Sequence, residues 1–162
     1  MPMPGNLTLV GQEQGEIEGS CDIEGRENTI LVQAFKHTVD LPSNDSGLPS
    51  GRRVHRPLMI TKEVDKSTPK LYQALCTGEL MKEATLRWYR MDGAGDEAQF
   101  FTVMLQNALI VKLESWVPDM FDKNYASYGN MENIWFTYEV IRWTWEEDGI
   151  EYEEHWDPNS NK

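Results

Sequence analysis

Apolar and polar positions alternate with a period of two along most of this chain, and a helical period shows in one stretch only. That stretch lies within residues 57–90, which read as strand, short helix, strand. Thr68 is a good N-cap, Pro69 suits the first helical position, where its missing N–H costs nothing, and Gly78 can take the left-handed conformation that stops a helix. Between them Leu71, Tyr72, Leu75 and Cys76 form one apolar stripe, which predicts a helix over about residues 69–77. A helix of roughly 13 Å is marginal by itself, so it must lie against a sheet.

The rest of the chain supplies that sheet. Short strands are expected over 6–10 and 16–22, the second broken by Gly19 and Gly25. Residues 30–41 read as the first long strand, with Leu31, Phe35, Val39 and Leu41 on one face and Ala34, Lys36, Thr38 and Asp40 on a wet one. Residues 42–56 then lose all apolar periodicity and hold Pro42, Gly47, Pro49 and Gly51, an extended loop that is either a functional device or a solvated linker. Leu86 and Trp88 share a face over 84–91, and Asp92 to Asp96 reads as a hairpin turn. Residues 99–117 form a very long strand whose apolar face is interrupted by Asn107, a signal for a bulge or kink. A second loop covers 118–129. Over 134–147 both faces are apolar, with Phe136, Tyr138 and Val140 against Trp135, Ile141, Trp143 and Trp145, as for a strand covered on two sides. An acidic arm, 148–162, ends the chain. The pattern predicts a mainly β fold, an antiparallel barrel or sandwich with one lateral helix, as one domain over 1–162.

Composition narrows the function. A net charge of −12, from 27 acids against 15 bases, argues against a nucleic-acid partner, which needs a basic footprint. No apolar run approaches the roughly 20 residues of a membrane helix, and the first residues lack the basic and apolar regions of a secretory signal peptide. Cys21 and Cys76 read as buried or half-buried thiols rather than a disulfide framework. His37, His55 and His155 lack metal-ligand spacing, and His37 shares parity with Phe35 and Val39, as a core histidine would. Glu153, Glu154 and Asp157 read as a solvated acidic tail, and Cys76 as packing rather than a nucleophile. No catalytic residue, cofactor site or metal site is expected.

Taken together and in order, several segments resemble the Hcp family (haemolysin-coregulated protein), the tube protein of bacterial type VI secretion. They are VQAFKHTVDLP (32–42), SGLPSGRRVHRPL (46–58), KEVDKSTPKLYQAL (62–75), LRWYR (86–90), FFTVMLQNALIV (100–111) and WFTYEVIRWTWEEDGI (135–150). The resemblance implies a β-barrel with a lateral helix, like phage tail-tube proteins. It implies hexameric rings stacked into a tube inside a contractile sheath, capped by a spike protein, with small effectors carried in the lumen. It further implies synthesis in the bacterial cytoplasm without a signal peptide, secretion by the type VI route, no enzymatic activity and no membrane insertion.

Under that resemblance Arg52, Arg53 and Arg56 are expected to serve ring stacking, meeting acids of the 11–18 segment or of the tail. Lys36 and Thr38 are expected to face the lumen and its effectors, and Trp135, Trp143 and Trp145 the neighbouring subunit. The competing reading is a small β-barrel ligand-binding or enzymatic module, with Trp88, Trp143 and Trp145 lining a pocket.

Overall fold

The computed structural model describes residues 2–156; Asp157 and the rest of the expected arm, 157–162, lie outside them. In chain order the strands are β1 (Gly5–Gly11), β2 (Gly15–Ile17), β3 (Ile30–Val32), β4 (Ala34–Lys36), β5 (Val39–Asp40), β6 (Val54–His55) and β7 (Leu58–Glu63). After the helix α1 (Thr68–Thr77) come β8 (Met81–Met91), β9 (Glu97–Trp116), β10 (Met131–Thr137), β11 (Val140–Trp145) and β12 (Ile150–His155). All pairings are antiparallel, and the path runs β2-β1-β8-β9-β10-β7-β4, with β12 added on β11.

One long ribbon organises the barrel. The N-terminal half of β9 pairs with β8 and with β11, while its C-terminal half pairs with β10. Thr137 faces Leu109 and Val140 faces Gln106, so β10 and β11 run on along the same edge of β9. The ribbon is broken at Tyr138 and Glu139, opposite Asn107, whose φ is +50° and whose side-chain amide donates to Glu139 at 2.8 Å. The kink expected at Asn107 is therefore present, and it has a consequence that the sequence pattern hid. Ile134 and Phe136 are buried before the break, Ile141 after it, so the inward parity switches. The two apolar faces read over 134–147 are two halves of a ribbon, each with its own inner side.

The barrel is closed by a second such switch. β3 pairs with β1, β4 pairs with β7, and the N–H of Gln33 between them donates to Thr61 O at 2.8 Å. The expected long strand over 30–41 is thus three short ones. Ile30 and Val32 fill the core, whereas Leu31 does not and Val39 and Leu41 are exposed. The expected strand over 16–22 shortens to β2, because the chain turns away to pair its backbone with 28–29.

The helix begins one residue before the expected span. Ser67 is its N-cap, and the hydroxyl of Thr68 instead accepts from Asp65 N at 3.1 Å. Pro69 and the left-handed Gly78 stand as expected. Leu71 and Ala74 are the buried pair, while Tyr72 and Cys76 are exposed, Tyr72 reaching Ser115 of β9 at 2.6 Å.

The helix start is bolted to the sheet by a buried ion pair. Lys62 and Glu132 are 0 % exposed and in direct contact, and Lys62 Nζ also donates to Asp65 at 3.0 Å and Glu63 O at 2.7 Å. Burying two charges costs several kcal/mol per ion, which only such a set of partners offsets. Lys62→Met should therefore destabilise the fold by about 3–5 kcal/mol, and adding Glu132→Leu should recover most of the loss. Urea unfolding followed by tryptophan fluorescence reads both; a double variant no better than the single one would rule out the uncompensated charge as the cause.

Candidate functional site: assembly surfaces

Residues 42–56 form an ordered hairpin arm rather than a patternless loop. It continues the β5–β6 pairing, with Ser50 N donating to Pro42 O at 2.7 Å and Asn44 N to Leu48 O at 2.8 Å. At its tip Asn44 Oδ1 accepts from the N–H groups of Ser46 and Leu48, both at 3.0 Å, and Gly47 takes φ +79°. Residues 42–52 of the arm are all exposed, so that part of it has no apolar periodicity to show. Arg53 and Arg56 make ion pairs within the chain. Arg56 grips Asp40 with two bonds of 3.2 Å, which holds the Asp40 carboxyl below its usual range. Arg53 pairs with Glu154 of β12 and lies against Trp156. The arginine-to-tail contact expected between rings thus exists inside one copy. Arg52 is exposed on the returning side of the arm.

At the root of the arm sits a polar cluster that the sequence did not signal. The Tyr138 hydroxyl lies 2.6 Å from His55 Nδ1 and 2.9 Å from His37 Nε2. Glu154 approaches the other nitrogen of His55 at 2.6 Å, and Trp156 stacks on the His55 ring. These residues come from four separate segments, so no spacing motif could reveal them. One hydroxyl carries one proton: it can donate to one histidine while accepting from the other. If both rings were charged, both would donate to the same oxygen and the tyrosine proton would have no acceptor among them. Burial, and then the charge of His55, hold the pKa of His37 below its usual value. Burial, then the Glu154 carboxylate, push that of Tyr138 up.

Two further surfaces follow from the sheet register. In the four-stranded half, Lys36 faces Met59, Met59 faces Trp135 and Trp135 faces Lys112, a row on the side away from the core. Lys36 and Trp135, expected on different surfaces, therefore share one face; Thr38 is exposed just beyond β4, its carbonyl accepting from Arg56 N at 3.0 Å. In the other half, β11 and β12 extend the sheet as a flap whose outer edge has no strand partner among the described residues. Its inner face carries Trp143, stacked parallel on Tyr152 at 6.1 Å, and Trp145 beside Ile150; Ile150 and Tyr152 are 65% and 61% exposed. The sequence reading also passed over Met120 and Phe121, which are exposed on the 118–129 loop.

The tryptophans of the pocket reading do not converge. Trp88 meets Phe35 edge-on at 5.5 Å, beside an open cavity of about 440 Å³ that neither Trp143 nor Trp145 lines. Among the described residues no group of three or more His, Cys, Asp or Glu could hold a metal ion, and no helix is long and apolar enough to cross a membrane. Cys21 is buried and Cys76 exposed, both free.

Over residues 7–145 the chain matches the family described as "Type VI secretion system effector, Hcp". The chain belongs to the Hcp family. It is 34% identical to the "Major exported protein" of Pseudomonas aeruginosa, covering 96% of each chain. Among solved structures, a double mutant of an Hcp protein from the E. coli EAEC 042 pathovar is 34% identical, with a TM-score of 0.85 over 95% of this chain and 99% of that one. A secreted Hcp protein from Pseudomonas aeruginosa is 30% identical, with a TM-score of 0.80 over 95% and 98%. Family membership makes this protein a tube subunit of type VI secretion, secreted by that route, on a mainly antiparallel β fold.

His37 sets a pH dependence. With His37 depressed in the fold, the unfolded chain binds more protons near pH 6, so stability rises with pH and is lost as pH falls below about 6.5. The melting temperature should drop between pH 7.5 and 5.5, and His37→Gln should flatten that drop. An unchanged pH profile in the variant would remove His37 from the account.

Proposed function

We propose that six copies of this Hcp-family chain close into a ring, that rings stack into the inner tube of the secretion machine, and that the lumen carries small effector proteins. The tube is loaded inside a contractile sheath, tipped by a spike protein and fired from the cell. The chain is made in the cytoplasm and leaves by the type VI route, and its work is structural rather than enzymatic.

The flap carries this reading. An apolar inner face built from Trp143, Trp145, Ile150 and Tyr152, continuing the core-facing side of a sheet past the end of its own barrel, asks for cover. A head-to-tail ring uses two different patches on each copy, and the flap supplies one of them. The uncovered side of the four-stranded sheet, with Lys36 and now Trp135, turns to the lumen. The hairpin arm, fixed at its root by Arg53 and Arg56, presents the exposed Leu48 and Arg52 to the next ring.

Light scattering behind gel filtration should give a particle of six times the 18.7 kDa of one chain. Trp145→Asp with Tyr152→Asp should give folded monomers. A wild-type monomer at every concentration tried, or a ring untouched by the double variant, would defeat the flap as the contact. Shortening residues 43–50 to a tight turn should leave rings of the same mass but abolish tubes in electron micrographs. Tubes of normal length would remove the arm from stacking.

A further inference from the structure

The lumen reading leaves open what chemistry holds a passenger, and the outer row of the four-stranded sheet bears on that. Lys36, Met59, Trp135 and Lys112 stand side by side on four neighbouring strands, cation at each end and apolar groups between. Lys112 Nζ lies 4.4 Å from the Trp135 ring centre and 3.9 Å from Glu114; the Lys36 side chain makes no ion pair or hydrogen bond with the described residues. In a chain of net charge −12 this row holds two bases and no acid. Elsewhere the chain's own charge repels an acidic partner; here a short range of contact favours one.

We infer that this row is a docking site for an acidic, extended segment of a passenger protein, with two carboxylates four positions apart bracketing a large apolar residue. The spacing comes from geometry. Three strand intervals of about 4.8 Å separate Lys36 from Lys112, roughly 14 Å. An extended chain laid across the strands covers about 13 Å in four residues, at about 3.3 Å each. Side chains of an extended chain alternate, so the first, third and fifth fall on one side. The outer two are then placed to meet the lysines and the middle one to lie on Met59 and Trp135. The inference rests on the proposal that this face lines the lumen.

The test uses fluorescein-labelled peptides that carry two glutamates around a leucine in a Ser/Gly background, with anisotropy as the readout on the full-length protein. The peptide with glutamates four apart should bind about fivefold more tightly than one with glutamates three apart, whose acids point to opposite sides. Lys36→Glu and Lys112→Glu should each weaken it about fivefold, as a contact of about 1 kcal/mol would, with the particle mass unchanged. Raising salt should weaken it further. Equal binding of the two spacings, or indifference to both lysine variants, would overturn the site. Binding to the Trp145→Asp/Tyr152→Asp monomer but not to the ring would mean that this face is buried between copies, which overturns the lumen placement and the passenger with it. Spacing-dependent, lysine-dependent binding to a protein that never forms rings would uphold the surface and sink the ring.

Discussion

The break at Tyr138–Glu139, opposite the left-handed Asn107, is the constraint on which the rest of the structure depends. A continuous β9 ribbon would place every odd residue of its second strand on one side. The break lets Phe136 and Ile141 both reach the core, although they differ in parity. It also turns one two-stranded ribbon into the shared wall of two sheets. The crossing at Gln33 repeats the device on the opposite wall, where one chain passes from β1 to β7. Two parity switches close the barrel and avoid the long open edges that an uninterrupted sheet would carry.

The same break sets the polar cluster. Tyr138 stands outside both strands that flank it, and there its hydroxyl reaches His37 and His55 together. Glu154 and Trp156 then lock the end of β12 onto the root of the hairpin arm, with Arg53 on the outer side. The arm therefore does not hang from a flexible stem. Its position relative to the flap is fixed by contacts within one copy.

Charge is distributed to match. The acids crowd β12 and its surroundings, where Arg142 and Arg53 meet some of them. Lys62, a fully buried cation, serves the joint between sheet and helix and takes no part in any surface. On the outer side of the four-stranded sheet there remains a row of mixed cationic and apolar character, in contrast to the bulk of the molecule.

Much of this was legible in the residues. Pro69 and Gly78 bracket the helix because their backbone preferences are local, and the period-two pattern announces strands because burial on one face is a local demand. Asn107 flagged its own kink for the same reason. The family, too, could be read from the order of its segments. Which parity faces inward was not legible beyond the first break, since a switch at Gln33 or Tyr138 leaves each side of the pattern looking regular. Nor was the hairpin arm, whose order rests on backbone bonds and turn geometry with no apolar face to report it. The histidine–tyrosine cluster and the Lys36–Lys112 row were decided by tertiary structure alone. Each is assembled from strands far apart in sequence, and only the register of pairing brings their side chains within reach of one another.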